Sequence, residues 1–247
     1  MSWTKITLLF FIAAILLLGT LLHTRKIWFV YPNKGVYAVD GLDVSHHQGI
    51  IDWENVDAKY RFVFVKATEA VTFVDSKFYE NAKSVKSTGR ILGAYHFFHF
   101  NYGGAEQADN FINTAGDIID LPPVVDFEYT GSLNEPDKDR IAEELRICVS
   151  RLEEHYKHKA IIYTTKDAYK QIVKDNFDNP LWYRSIVLPI SRNVDNAIFW
   201  QYHNSAMVRG VGTRADLNVF KGDIAELKEL IMGINPPYPK SPYLSAP

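Results

Sequence analysis

The chain has 247 residues, 47% hydrophobic and 14% aromatic, which is enough apolar material for one large core and too much for a disordered polymer. Its 27 basic and 29 acidic residues leave a formal charge of −2, a balance that gives no support to a nucleic-acid binder. A single cysteine, Cys148, excludes an internal disulfide.

Ile6 to Leu22 is a run of 17 residues without a charge, with Lys5 before it and Arg25 and Lys26 after it. About 17 residues is the short end of what spans a bilayer as a helix. No small-x-small cleavage pattern follows the run, and no cysteine that would mark a lipoprotein signal. The first reading is therefore an uncleaved membrane anchor, the second a cleaved secretory signal, the third a buried core helix. Basic residues at both ends leave the orientation open. The chain divides into a short flank (1–5), the anchor segment (6–24), a juxtamembrane linker with interfacial aromatics (25–38), one folded domain (39–233) and a proline-rich tail (234–247).

From Val39 onward short apolar runs alternate with amphipathic stretches. Strands are expected at 39–44, 62–68, 92–98, 124–129, 160–165, 181–186, 198–203 and 214–220. Helices are expected at 52–59, at 76–88 with Gly89 as its stop, at 105–115, at 136–155 opened by a proline, from 167, and at 224–232. The long helix carries Ile141, Leu145, Cys148, Val149, Leu152 and Tyr156 on one stripe, so Cys148 reads as a buried thiol rather than a nucleophile. Repeated strand–helix units of this kind imply a parallel sheet with helices outside, and near-continuous apolar strands imply burial on both faces. A closed barrel and an open doubly wound sheet both satisfy the pattern. No glycine-rich phosphate fingerprint follows any strand, which weakens the nucleotide-binding version.

The stretch from Pro122 to Tyr129 concentrates the chemistry. Two prolines set an extended approach, Val124 and Val125 start a strand, and Asp126 and Glu128 follow at i and i+2. Alternation puts both carboxylates on one face, with Cα atoms roughly 6.5–7 Å apart. Two acids on one face of an apolar strand are costly unless that face meets water, a cation or a substrate. Like charges this close raise one pKa, which suits a general acid. By itself the pair reads equally well as solvated acids on an edge strand. In a barrel the strand C-terminal ends form the site, and there Asp43, Asp126, Glu128 and Asp216 would converge on one mouth.

These strand ends resemble the lysozymes of glycoside hydrolase family 25, the N-acetylmuramidases. The pieces are Asp43-Val44-Ser45-His46-His47-Gln48 with Asp52-Trp53, Phe64-Val65-Lys66-Ala67-Thr68-Glu69, Gly93-Ala94-Tyr95-His96-Phe97, Val125-Asp126-Phe127-Glu128, Ile162-Tyr163-Thr164, Leu181-Trp182, Trp200-Gln201-Tyr202 and Asp216-Leu217-Asn218. They stand in the family's order from about Gly41 to Phe220, a more specific signal together than any one of them. The resemblance implies a flattened TIM-like (β/α)5(β)3 barrel behind the N-terminal hydrophobic anchor helix. It implies hydrolysis of the β-1,4 bond between N-acetylmuramic acid and N-acetylglucosamine in peptidoglycan, outside the cytoplasm, with no metal and no cofactor. It makes Glu128 the general acid, Asp126 its assistant, and Asp43 and Asp216 the anions flanking the sugar, in keeping with glycoside cleavage generally. Tyr95, Tyr163, Trp182, Trp200 and Tyr202 could line a sugar groove, though ordinary packing would account for each equally well. Lys66 and Glu69 are expected as a local ion pair. His46, His47, His96 and His99 lack zinc-site spacing and read as structural or groove-lining residues. A non-catalytic peptidoglycan-binding module and a glycosidase acting on another N-acetylated polymer, such as chitin, are the competing functions. Two departures from the family stand out: Ala70-Val71, where glycine is common, and Tyr183-Arg184-Ser185, where a small residue and a tyrosine are usual.

Overall fold

The computed structural model describes residues 2–24, 27–129, 135–191 and 193–232. The proline-rich tail expected at 234–247 lies outside them. Helix α1 (Trp3–His23) comes first, and its apolar span, Trp3–Leu21, is not buried against the rest of the chain. Then follow β1 (Val39–Val44), β2 (Tyr60–Glu69), the two-residue β3 (Phe73–Val74), α2 (Phe78–Ser87), β4 (Ile91–Phe97), α3 (Gly104–Ala115), β5 (Val124–Phe127) and α4 (Glu135–Tyr156). The second half holds β6 (Ile161–Thr164), α5 (Lys166–Ala168), a π-helical stretch (Tyr169–Val173), α6 (Lys174–Asn176), β7 (Leu181–Arg184), β8 (Ala197–Met207), β9 (Arg214–Phe220) and α7 (Ile224–Glu229).

The sheet runs β1-β9-β8-β7-β6-β5-β4-β2-β3 and closes through a β1–β2 pairing. Every neighbour in the ring is parallel except the pairs β8–β9 and β9–β1. The closed barrel is therefore the right alternative, and helices thin out after β7 as the sequence suggests.

Strand β2 shows why these residues close a barrel. Phe62 and Phe64 point inward and Val63 and Val65 outward, all fully buried. The inward phenylalanines need room, and glycines on the neighbouring strands supply it. A Cβ on Gly41 would lie 2.3 Å from the Phe62 ring, and one on Gly93 would lie 2.3 Å from the Phe64 ring. Phe62, Phe64, Trp182, Phe199 and Phe220 fill the barrel floor, with Phe64 stacked on Trp182 at 4.5 Å between centroids. The outward layer packs on the helices, and Cys148 lies there, fully buried on α4, where burial raises its thiol pKa.

Two stretches depart from expectation. The helix expected at 52–59 is a series of turns. Its carbonyls are taken by the Arg90 guanidinium, which donates to Trp53 O at 3.4 Å, Val56 O at 2.7 Å and Asp57 O at 3.5 Å, while the Asp57 carboxylate accepts from Lys59 N–H. Local side-chain bonds of this kind compete with helix. The stretch expected as a linker is partly in the core. Trp28 and Val30 pack against Trp200, Tyr202 and Val219 on the outer face of β8 and β9, and the Trp28 indole donates to Tyr202 O at 2.6 Å. Ala70 turns the chain after β2 with φ of 49°, a left-handed conformation that favours glycine.

Candidate active site

The mouth of the barrel is a polar cavity of about 220 Å³ lined by Asp43, Ser45, His47, Lys66, Tyr95, Phe97, Asp126, Glu128, Tyr163, Trp182, Gln201 and Asp216. Each strand contributes by parity. Strand β5 sends Val124 to the floor and Asp126 to the mouth, and Glu128 follows just past its end. Opposite, β1 and β9 run antiparallel with Asp43 directly across from Asp216. Two ionised carboxylates at such a cross-strand position repel each other.

Neutral amides manage this repulsion. The Gln201 amide NH2 donates to Asp43 Oδ1 at 3.0 Å and to Asp216 Oδ2 at 3.2 Å. The Asn218 amide donates to the same Asp43 oxygen at 2.7 Å. Both amides are themselves held: Tyr163 OH donates to Gln201 Oε1 at 3.0 Å, and the Trp182 indole N–H donates to Asn218 Oδ1 at 2.8 Å. Buried aromatic donors thus fix which way the amides face, and the amides fix Asp43.

Asp126 is treated differently. The residue is 8% exposed, and Oδ1 has no hydrogen-bond partner among the described residues. Burial first, then the charges of Glu128 and Asp43, raise its pKa well above the carboxylate range. Burial also raises Glu128, against the pull of Arg184 and then Lys66. Loss of water pushes Asp43 up to about 6, opposed by the Asn218 and Gln201 hydrogen bonds, and pushes Asp216 up to about 8, reinforced by Asp43. Of the facing pair, Asp43 therefore ionises before Asp216 as pH rises.

These raised values make stability depend on pH. The native carboxyls hold protons that the unfolded chain releases at ordinary carboxylate pKa values. Between those values and about 8, where Asp216 titrates, the native state binds more protons, so stability falls as pH rises. The melting temperature is expected to decline from about pH 5 to about pH 8. Asp216→Asn should flatten that decline, a comparison that calorimetry at a series of pH values checks directly.

Of the nine residues singled out from the sequence, Asp43, Asp126, Glu128, Asp216, Tyr95, Tyr163 and Trp182 meet at the mouth. Trp200 and Tyr202 do not. On β8, Phe199 and Gln201 face the barrel interior, so Trp200 and Tyr202 face outward beneath Trp28 and Val30. Lys66 pairs with Glu69 at 2.6 Å. His46 bonds Asp75 at 2.7 Å, and His96 is buried between Thr68 and Gln107. Gln201, Asn218 and Arg184 were not singled out for the site. Strand period was the available signal: Asn218 is two residues from Asp216, and Arg184 two from Trp182. The Arg184 charge lowers the pKa of all four acids.

Comparison with known proteins adds four likenesses. The glycosyl hydrolases family 25 profile matches residues 42–211. Lysozyme M1 of Streptomyces globisporus is 31% identical over 209 residues, covering 78% of this chain and 71% of its own. The uncharacterized protein YegX of Escherichia coli K12 is 33% identical over 214 residues, covering 80% of this chain and 75% of its own. A solved family 25 glycosyl hydrolase from Bacillus anthracis superposes with a TM-score of 0.75 at 34% identity, covering 83% of this chain and 98% of that one.

Proposed function

Because this chain belongs to glycosyl hydrolase family 25 and is a glycoside hydrolase, we propose that it cleaves peptidoglycan as an N-acetylmuramidase, at the β-1,4 bond between N-acetylmuramic acid and N-acetylglucosamine. One observation carries the reading: a single strand, β5, delivers Asp126 and Glu128 to a mouth whose opposite wall holds the amide-locked pair Asp43 and Asp216. Glu128, partly buried and with a raised pKa, protonates the leaving oxygen. Asp43, which ionises before Asp216, faces the positive charge that builds on the sugar. Asp126 lines the mouth beside Glu128 with its pKa raised by burial, suited to holding the acetamido group or a water in line. Asp216 shares the Gln201 amide with Asp43 and sets how much charge that wall carries.

The anchor reading belongs to this proposal. A wall hydrolase works outside the cytoplasm, and α1 is long and apolar enough to cross a membrane and hold the barrel there.

The test is to incubate the full chain in mild detergent with purified peptidoglycan, reduce the products and identify the new reducing-end sugar by mass spectrometry. Reduced N-acetylmuramic acid is expected. Reduced N-acetylglucosamine would overturn the bond assignment. Wall binding without cleavage would return the chain to the binding-module reading.

A further inference from the structure

Helix α1 and the barrel are separated by very little chain. The apolar span ends at Leu21, and Trp28 is already part of the barrel. Seven steps of extended chain reach at most about 25 Å. Trp28 is fixed on two sides: its indole N–H donates to Tyr202 O at 2.6 Å, and its ring stacks on His203 at 3.7 Å between centroids. Val30 is buried beside it, and the Tyr37 ring meets Trp200 edge-on at 5.3 Å. The neighbouring aromatics stay largely in solvent even though the Tyr31 hydroxyl accepts from Trp28 N–H at 3.1 Å and the Phe29 ring meets Trp28 edge-on at 5.4 Å. Phe29 is 51% exposed and Tyr31 68% exposed.

A second apolar projection stands on the same flank. The loop after β7 is fastened to this cluster through Ile186 and Ile190, which pack against it. The Trp200 indole donates to Ser185 O at 2.8 Å, and Ser185 Oγ donates to Leu188 O at 2.6 Å. Between those fastenings Val187 and Leu188 are left 53% and 67% exposed. Four large apolar side chains thus face solvent on the flank where the chain arrives from its membrane-spanning candidate.

Resting on the anchor reading above, we propose that this flank of the barrel lies on the bilayer, with Phe29, Tyr31, Val187 and Leu188 in the lipid interface. Aromatic residues next to a span favour that layer, where an apolar body meets lipid and a polar edge meets water. Arg25 and Lys26 of the sequence add cationic charge beside anionic headgroups. The consequence reaches the active site. Tyr202 holds Trp28, and Gln201, its neighbour on β8, lines the mouth. The mouth is thereby kept at the height of the membrane surface, and the substrate it meets is the layer of glycan nearest the lipid.

The experiment uses the full chain in liposomes of phosphatidylethanolamine and phosphatidylglycerol. Cys148 is fully buried, so a single added cysteine takes an environment-sensitive fluorophore in the folded protein. Leu188→Cys reports on the proposed contact. Tyr79→Cys, exposed on α2 beside β4, reports on the far side of the ring from β8. Spin-labelled lipid should quench the probe at 188 roughly twofold, the response of a group within the headgroup–acyl boundary, and leave the probe at 79 unchanged. Equal quenching at both positions, or none at 188 in protein that floats with the liposomes, would overturn the flank contact while leaving the anchor. Protein that does not float would overturn the anchor and the contact together. Product analysis in detergent reads the hydrolase assignment independently of all three results.

Discussion

Glu128→Gln is expected to cut turnover on glycan strands by roughly 100- to 10,000-fold, the range that positioned general acids supply, with little change in KM. The amide matches the carboxyl in shape and cannot protonate the leaving oxygen. Glu128 lies just past the end of β5 and is only partly buried, so the barrel does not depend on its charge for folding. The pH profile should change with the rate. In the parent protein, activity should fall as pH rises through the raised Glu128 pKa, because the proposed acid would lose the proton it must give. In the variant that alkaline limb should vanish. An aryl glycoside whose leaving group needs no proton should recover much of the lost rate. Near-native turnover of Glu128→Gln on glycan strands would remove Glu128 from the acid role.

The largest expected effect on stability comes from one hydrogen-to-methyl change inside the barrel, Gly93→Ala. The added Cβ would lie 2.3 Å from Phe64 Cδ1 and 2.4 Å from Cε1. Phe64 has nowhere to retreat, being stacked on Trp182 at 4.5 Å and set edge-on to Phe199 at 5.0 Å. Overpacking of this kind costs roughly 1–3 kcal/mol, sometimes more. For a chain of this size each kcal/mol lowers the melting temperature by about 2–4 °C. Activity should fall beyond what the lost stability explains, because Trp182 holds Asn218, which in turn holds Asp43. Phe64→Leu on the Gly93→Ala background should restore part of both losses, since residues in contact do not contribute additively. An unchanged melting temperature for Gly93→Ala would mean that the floor is looser than these contacts require.

Much of this architecture was legible in the sequence because buried parallel strands announce themselves. Phe62 to Val65 and Val124-Val125 have no polar residue to confuse the pattern, and β/α alternation implied the parallel ring. Asp126 and Glu128 could be paired by strand period alone. The same rule, applied to β8, would have sent Trp200 and Tyr202 outward once Gln201 was placed inward. What hid this was the aromatic character of Trp200 and Tyr202, which suits a sugar groove as well as a core. The turns at 52–59 were hidden for another reason. Their geometry depends on Arg90, more than thirty residues later in the chain, so no local pattern contains it. Trp28 was read as interfacial because it follows an apolar run, and its partners Tyr202 and His203 come from the other end of the sequence. Distant pairing, rather than weak propensity, separates what was read from what was missed.

The late closing strand has a consequence for timing. β1 is the first strand made and β9 the last, and the Asn218 bond to Asp43 spans 175 positions of sequence. Every parallel strand can be laid down before this contact exists, yet the wall opposite Glu128 is incomplete until β9 slots between β8 and β1. Such long-range closure is slow, because its loop entropy is lost before its contacts form. A chain still emerging from the ribosome therefore carries Glu128 and Asp43 without Asp216 or the Asn218 amide that fixes Asp43. The mouth is not assembled until the last strand is delivered, a delay built into the order of the strands.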